Sequence, residues 1–255
     1  MFKPFRRFFQ IVYNIYATFI FFIFLSVLFP IVLLTYFLPS KKRGNAIYNI
    51  ARVFLDIALL LLGIFHKNIF EVPHDTKKPM IFVFNHISYL DSLILVATIR
   101  KQNIRGLGKY EIGKIPIIGF IYRSAVITVK RSDKTNRQKS VALLKEAVNN
   151  NISIAIAPEG TFNETSKPLL DFFDGAFRIA IETNTPIKPL LFLDTYDRMH
   201  YGSLFSLTPG KSRSVFLEEV SVEGYDLSNL QELKQKVFQK MELALVHYKA
   251  SWIKN

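Results

Sequence analysis

The chain begins with a long uncharged apolar segment and then changes to shorter, alternating segments. No charged residue occurs between Arg7 and Lys41, an interval dominated by Phe, Ile, Leu, Val and Tyr. As a helix, this interval reaches roughly 50 Å, whereas the hydrocarbon core of a bilayer is only about 30 Å thick. A second apolar stretch over residues 47–65 carries Arg52 and Asp56 at helical spacing, which predicts an ion pair between them.

Two membrane arrangements are compatible with this N-terminal region. Basic residues flank the long segment on both sides: Lys3, Arg6 and Arg7 before it, and Lys41, Lys42 and Arg43 after it. Positive charge at both ends does not indicate which end of the segment faces the cytoplasm. The region is either a spanning helix followed by an interfacial helix, or a hairpin that enters one leaflet and returns. We favour the hairpin, with a kink at Pro30. We expect membrane-anchoring helices over residues 1–67 and a second domain over residues 68–255.

From about residue 68, short apolar runs alternate with amphipathic or capped segments. Strands are predicted over residues 80–84, 125–130, 152–157, 187–193 and 214–219. Helices are predicted over residues 88–100, 136–149, 173–184 and 229–250. The alternation predicts an α/β fold with a mixed, largely parallel sheet flanked by helices.

Composition narrows the classes of function. The 255 residues carry a net charge of +13, which favours anionic lipid headgroups, nucleic acid or acidic carriers as partners. No nucleic-acid-binding module is recognisable, and the hydrophobic N-terminus argues against that class. The absence of Cys excludes disulfides and cysteine nucleophiles. No metal is expected, because the remaining histidines outside the first candidate site are isolated: His66, His74, His200 and His247.

Asn85, His86 and Asp91 directly follow the predicted strand over residues 80–84. A histidine oriented by a carboxylate can accept a proton from a hydroxyl near neutral pH. Along one continuous helix the two side chains would point about 140° apart, so they meet only if a helix begins between them, for instance at Ser88. His86 would then lie at the carboxyl end of a strand, where open α/β sheets bind ligands. Alternatively, Ser88 and Asp91 form a capping box, which explains Asp91 without catalysis.

Two further segments lie at predicted strand ends. Arg131 follows the strand over residues 125–130 and is suited to bidentate phosphate binding. The strand over residues 152–157 runs into the tight turn Pro158-Glu159-Gly160-Thr161, again at the carboxyl edge. A proline-containing entry over residues 185–190 begins another predicted strand.

The order of these segments resembles the motifs of the glycerolipid acyltransferase family, in particular bacterial 1-acylglycerol-3-phosphate acyltransferases. The first family motif, Asn-His-four residues-Asp, is matched by Asn85, His86 and Asp91. The second ends in an apolar strand and Arg131, and the third, Pro-Glu-Gly-Thr-Arg, is matched over residues 158–161. The resemblance covers roughly residues 68–220 and implies a glycerol-3-phosphate acyltransferase-like fold.

The resemblance implies a reaction and its setting. An acyl group would pass from acyl-CoA or acyl-carrier protein to the free hydroxyl of 1-acylglycerol-3-phosphate, giving phosphatidic acid in phospholipid synthesis. His86 would be the general base and Asp91 would orient its ring. No cofactor is implied beyond the acyl donor as co-substrate, and membrane lipids and the acyl donor would be the partners. The catalytic domain would face the cytoplasm at the inner membrane.

Departures from the family pattern affect substrate binding. Phe162 stands where the family has the arginine of the third motif, and Ala125 stands where the second motif begins with glycine. We therefore expect substrate binding by five residues: Arg131, Glu159, Gly160, Thr161 and, as a replacement phosphate contact, Lys167. The acceptor could also be a lyso-aminolipid or another lysophospholipid, and a non-catalytic membrane-surface lipid-binding protein is the alternative of a different class.

An acyl chain requires an apolar groove or tunnel. The residues between the first and second motifs that could line it, or simply pack in the core, are Ile115, Ile117, Ile118, Phe120 and Ile121.

Overall fold

The computed structural model describes residues 3–253, without the side chains of residues 3–6, 40 and 41. Lys3, Arg6 and Lys41 of the predicted basic flanks therefore lie outside the described side chains. The described strands are β1 (Ile64–Phe70), β2 (Ile81–Phe84), β3 (Ile104–Lys109), β4 (Val126–Val129), β5 (Ser153–Ile156), β6 (Ile187–Phe192) and β7 (Gly210–Phe216).

These strands form one sheet in the order β1-β7-β6-β2-β5-β3-β4. All neighbouring pairs are parallel except β6 and β7, which are antiparallel. This confirms the predicted mixed, largely parallel sheet. Because β2, β5 and β4 run in the same direction, the segments that follow them come together at one edge of the sheet, as the predicted site requires.

Eight α-helices are described. They are α1 (Lys3–Leu34), α2 (Ser40–Leu61), α3 (Asp91–Thr98), α4 (Ile118–Ala125), α5 (Lys134–Asn149), α6 (Gly175–Glu182), α7 (Thr195–Arg198) and α8 (Leu230–His247). Short 3₁₀ turns cover Thr35–Phe37 and Tyr110–Lys114. Ala125 ends α4, although the sequence pattern placed it at the start of a strand.

Two strands, β1 and β3, were not predicted. The β1 sequence begins at the end of the second apolar stretch and continues through the polar residues His66, Lys67 and Asn68, but it pairs with β7 along its whole length. It also crosses the predicted domain boundary between residues 67 and 68. The β3 sequence contains two glycines and two cations, which lowers its strand propensity, and its pairing with β4 and β5 makes it a strand. In both cases tertiary pairing outweighs the local pattern.

The sheet separates two apolar clusters. Ile81 and Val83 belong to one cluster, whereas Phe82 and Phe84 belong to the other. Successive side chains of a strand point to opposite faces, so the two clusters lie on opposite faces of the sheet. Helices α5, α6 and α8 cover the first face, and α2, α3 and α4 cover the second.

Helices α1 and α2 form a hairpin whose two segments are each long and apolar enough to cross a bilayer. Helix α1 packs on α2, for example through the rings of Phe24 and Phe54 at 5.8 Å. Within its first third, Gln10 donates to the carbonyl of Leu207, in the segment before β7, at 2.7 Å. At its far end, Phe29 packs against Phe120 of α4 at 6.0 Å. Both ends of α1 therefore contact the α/β part of the protein, while most of its apolar side chains stay exposed.

The predicted ion pair between Arg52 and Asp56 is wrong. Asp56 instead pairs with Arg100, with a distance of 2.6 Å between Oδ1 and Nη2. Arg52 donates to the carbonyls of Arg100 and Gln102, at 2.6 and 2.7 Å. The polar face of α2 thus meets the turn after α3, a neighbour that helical spacing alone does not reveal. These contacts fix α2 against the α/β fold.

Candidate active site

His86 lies in the turn that follows β2, and both polar groups of its backbone are bound. Its N–H donates to Glu159 Oε1 at 2.9 Å. Its carbonyl accepts from the N–H of Asn163 at 2.8 Å. The turn after β2 is thereby fixed to the loop after β5, so the first and third sequence motifs form one site.

The side chains of His86 and Asp91 meet as predicted. His86 Nδ1 lies 3.0 Å from Asp91 Oδ2, and the His86 side chain is 23% exposed whereas that of Asp91 is fully buried. The contact is possible because α3 begins at Asp91, so the two residues are not on one continuous helix. Within the described chain, His86 Nε2 has no hydrogen-bond partner. A Nδ1–H that donates to the carboxylate leaves Nε2 unprotonated and able to accept a proton.

Asp91 also shapes the start of α3. Its Oδ2 accepts from the N–H groups of Ile87 and Ser88, at 2.7 and 2.8 Å. The Ser88 hydroxyl accepts from the N–H of Leu90 at 3.0 Å rather than from Asp91, and Leu90, not Ser88, is the N-cap residue. Only half of a capping box therefore forms. The same carboxylate oxygen holds the turn and the imidazole, so the two interpretations of Asp91 describe one arrangement.

Asn85 pins the start of this turn to the neighbouring strand. Its side chain is buried; it accepts from the N–H of Phe192 at 2.8 Å and donates to the carbonyl of Phe192 at 3.1 Å. Because Phe192 ends β6, these two bonds hold the carboxyl ends of β2 and β6 together next to His86.

Glu159 is buried beneath the site. Its Oε2 accepts from the N–H of Leu170 at 2.8 Å, while its Oε1 binds the His86 backbone. Burial raises the pKa of Glu159 to about 7, although the two N–H donors act in the opposite direction. The sequence predicted a substrate-binding role for Glu159; its buried carboxylate instead binds the backbone at His86 and Leu170.

The turn at Gly160 brings Arg131 to the same edge. Gly160 has a φ of +71°, and a Cβ on it would lie 2.8 Å from the ring of Phe173, so the position requires glycine. The Arg131 side chain is exposed, and its Nη1 donates to the carbonyl of Gly160. The Gly160 N–H donates to the carbonyl of Ala157 at 3.1 Å and is not available to a substrate.

Asn163, which the sequence did not single out, organises the rest of this loop. It is buried; its Oδ1 accepts from the N–H and hydroxyl of Thr165, and its Nδ2 donates to the carbonyl of Lys167 at 2.8 Å. The carbonyl of Lys167 also accepts from the indole N–H of Trp252 at 3.1 Å. The backbone at Lys167 is thus fixed, while its side chain and that of Thr161 are exposed.

Phe162, in the position of the family's arginine, packs on the candidate base. Its ring centroid lies 4.4 Å from that of His86 and 4.8 Å from that of Tyr89. An aromatic wall therefore stands beside the imidazole where the family pattern has a cation. No sequence rule placed these rings together, because the two segments are far apart in the chain.

The candidate acyl-chain residues divide into two groups. Phe120 packs with Phe29 and Tyr36 of the N-terminal hairpin, and Ile121 packs against the same apolar cluster. Ile115 and Ile117 are 45% and 41% exposed, and Ile118 beside them is half-buried. The first group therefore serves in packing, and a role in holding an acyl chain stays a prediction for the second.

The sequence is similar to a known protein family and to individual enzymes. The family model described as Acyltransferase matches residues 64–193, which include the turns at His86, Arg131 and Gly160. The 1-acyl-sn-glycerol-3-phosphate acyltransferase of Haemophilus influenzae is 27% identical over 68% of this chain and 71% of its own length. That of Helicobacter pylori is 27% identical over 82% of this chain and 86% of its own. The chloroplastic enzyme of Brassica napus is 30% identical over 65% of this chain and 47% of its own.

The crystal structure of the 1-acyl-sn-glycerophosphate acyltransferase PlsC from Thermotoga maritima has the same fold. The TM-score is 0.77 over 98% of this chain and the whole of that chain, at 22% identity. The likeness extends through the N-terminal helices as well as the sheet. The fold and the family that the sequence motifs indicated are thus confirmed, and the chain belongs to the acyltransferase family.

Proposed function

We propose that this chain transfers an acyl group from an acyl thioester to the free hydroxyl of 1-acylglycerol-3-phosphate, giving phosphatidic acid. The observation that carries the proposal is the bond of 3.0 Å between His86 and Asp91, with the imidazole 23% exposed and its Nε2 open. Relatives named for this reaction, from two bacteria and a plant, support the choice of substrate.

His86 Nε2 takes the proton of the acceptor hydroxyl as its oxygen attacks the thioester carbonyl. Asp91 keeps the other ring proton on Nδ1 and stabilises the imidazolium, as the acid does in a Ser-His-Asp triad. When the tetrahedral intermediate collapses, the C–S bond breaks and the imidazolium returns its proton to the leaving thiolate. No covalent enzyme intermediate is required, because the acceptor hydroxyl takes the place of the serine.

The charge of the tetrahedral intermediate needs hydrogen-bond donors. The Gly160 N–H is already bound to Ala157. The next two amides, of Thr161 and Phe162, have no partner within residues 3–253, and we assign the oxyanion contact to them.

The acceptor phosphate is assigned to Arg131 and Lys167. Arg131 lies at the end of β4, and its guanidinium is held toward the site by the carbonyl of Gly160. A guanidinium binds phosphate through paired N–H donors. Glu159 supports this arrangement from below by fixing the backbone of His86. Lys167 supplies a second cation from the same loop.

A second acceptor class is favoured by Phe162. An aromatic ring, and not the arginine of the family motif, lies beside His86. The loss of that cation weakens selectivity for a phosphate headgroup and suits a lysolipid with another headgroup. We expect Phe162→Arg to increase the preference for lysophosphatidate over lysophosphatidylethanolamine or a lyso-aminolipid. Initial rates with each acceptor, at matched micelle concentrations, measure that preference. An unchanged ratio would contradict a role for Phe162 in acceptor choice.

In this proposal the lysolipid reaches the site from the membrane, and the acyl donor reaches it from the cytoplasm. The hairpin of α1 and α2 enters one leaflet, since α1 contacts the same α/β fold through Gln10 and through Phe29, and a helix that crossed the bilayer would separate these two contacts. The catalytic domain faces the cytoplasm at the inner membrane, where acyl-CoA and acyl-carrier protein are found. The net charge of +13 attracts either of these acidic donors.

His86→Ala tests the proposal most directly. Removing a general base should lower the rate of phosphatidic acid formation by about 10²- to 10⁴-fold. A membrane fraction is assayed with lysophosphatidate and a labelled acyl donor, using acyl-CoA and acyl-carrier protein in parallel. His247→Ala, at an exposed histidine at the end of α8, is the matched control.

Retained turnover in His86→Ala would rule out the general-base role. A native chain that binds anionic vesicles but transfers no acyl group to any lysolipid would support the non-catalytic alternative instead.

A further inference from the structure

The loop over residues 199–209 joins α7 to β7, and we call it the α7–β7 loop. It contains no Lys, Arg, Asp or Glu, although Arg198 directly precedes it and Lys211 follows one residue after its end. At its tip, Leu204 and Phe205 are 60% and 69% exposed. A chain with so many cations thus leaves one uncharged loop with two neighbouring large apolar side chains in the open.

This loop is fixed to the first third of α1. Gln10 Nε2 donates to the carbonyl of Leu207 at 2.7 Å. Asn14 Oδ1 accepts from the N–H of Leu207 at 3.2 Å, and Asn14 and Leu207 are buried. The polar groups at this contact satisfy each other, so the tip of the loop is held beside α1.

The apolar surface of the loop is continuous with that of α1. Ile11 and Ile15 of α1 are 53% and 65% exposed, and they share one groove with Phe205. The groove has a volume of about 410 Å³ and is lined by Gln10, Ile11, Asn14, Ile15, Thr18 and Phe205. A patch of this kind beside a membrane helix is typical of a membrane contact.

The other end of the loop touches the candidate active site. The hydroxyl of Ser88, two residues after His86, donates to the carbonyl of Met199. The Tyr201 hydroxyl donates to the carbonyl of Glu164 at 3.4 Å. One short loop therefore links α1, the turn that carries His86 and the loop after Gly160.

We propose that the α7–β7 loop is a membrane-contacting element, with Leu204 and Phe205 inserted among lipid acyl chains beside α1. The proposal rests on the membrane location of α1 given under the proposed function, but not on acyl transfer. The inserted loop holds the edge of the sheet that carries His86 against the bilayer surface, so that a lysolipid reaches the site without leaving the membrane.

Site-directed fluorescence tests this surface, and the absence of cysteine from the chain makes it practical. Phe205→Cys and Leu204→Cys are each labelled with an environment-sensitive dye and added to phosphatidylethanolamine and phosphatidylglycerol vesicles. We expect a shift of emission to shorter wavelength, and quenching by lipids spin-labelled on the acyl chain. Leu243→Cys is the matched control, since Leu243 is 71% exposed on α8, against the opposite face of the sheet.

Phe19→Cys, on the exposed apolar face of α1, separates the loop from the anchor. Quenching at position 19 without quenching at 204 and 205 would overturn the proposal and leave the anchor intact. Absence of quenching at all three positions would overturn both. A shift at position 205 with acyl-carrier protein and no vesicles, but none with vesicles, would show a protein-docking surface instead.

Discussion

Helix α3 joins two histidine sites that differ in the groups around the imidazole. At its N-terminal end, Asp91 accepts from His86 Nδ1, and His86 Nε2 has no partner in the described part of the chain. At its C-terminal end, both nitrogens of His66 are engaged at 2.9–3.2 Å, by Asn68, Ser212 and Thr98. Burial has the largest influence on the pKa of His66. It lowers that pKa and so favours the neutral imidazole.

The contrast shows what separates a base from a structural histidine. A base needs one nitrogen that the protein leaves open and a carboxylate that supports the charge it gains. His66 has neither, because its bonding partners in the described chain are hydroxyl and amide groups. Its bonds instead join β1 and β7 to the end of α3, since Asn68 and Thr98 also bind each other. Polar surroundings alone do not make a histidine catalytic.

Asp91→Asn should produce the largest effect. An amide cannot support an imidazolium, and the corresponding exchange in a Ser-His-Asp triad lowers turnover by about 10⁴-fold. The amide oxygen of the new side chain can still accept from the N–H groups of Ile87 and Ser88, so the thermal unfolding transition should move little. Initial rates of phosphatidic acid formation and melting in detergent measure the two effects. A rate within a few-fold of the native one would limit Asp91 to holding the turn at Ile87 and Ser88.

Glu159→Gln should remove a loss of stability at rising pH, a dependence opposite in sign to the one expected from the lowered pKa of His66. The pKa of Glu159 is raised from 4.5 to about 7. The folded chain therefore keeps a proton that the unfolded chain has lost, and stability falls as pH rises from about 4.5 to about 7. The loss integrates to at most about 3 kcal/mol.

Unfolding of the native chain and the variant at about pH 5 and about pH 8 checks this sign. The native chain should lose more stability than the variant between the two conditions. Equal losses would mean that Glu159 is already ionised at the lower pH.

His66→Ala should have the smallest effect on catalysis and act on stability instead. The exchange leaves buried hydroxyl and amide groups without a partner, at a cost of about 1–3 kcal/mol. The melting temperature should fall, while the rate with lysophosphatidate stays near the native value below the transition. A folded variant that has lost acyl transfer would contradict the distinction between the two histidines.

Much of the site could be predicted from sequence because its chemistry is local. His86 and Asp91 are close in the chain, and the start of a helix between them brings them together. The mixed sheet followed from strand and helix periodicity. Strands β1 and β3 did not, since a segment with a polar centre and a glycine-containing segment acquire strand geometry only from their neighbours.

The sequence by itself determined which groups are available: one histidine and one aspartate around a turn, an arginine at a strand end, a rigid glycine turn and a long apolar anchor. Tertiary structure decided which of them meet. It paired Asp56 with Arg100, placed Phe162 on His86 and directed Glu159 to a backbone N–H far away in the chain. Local pattern fixes the conformation of a segment, whereas a contact between distant segments depends on how the sheet orders its strands.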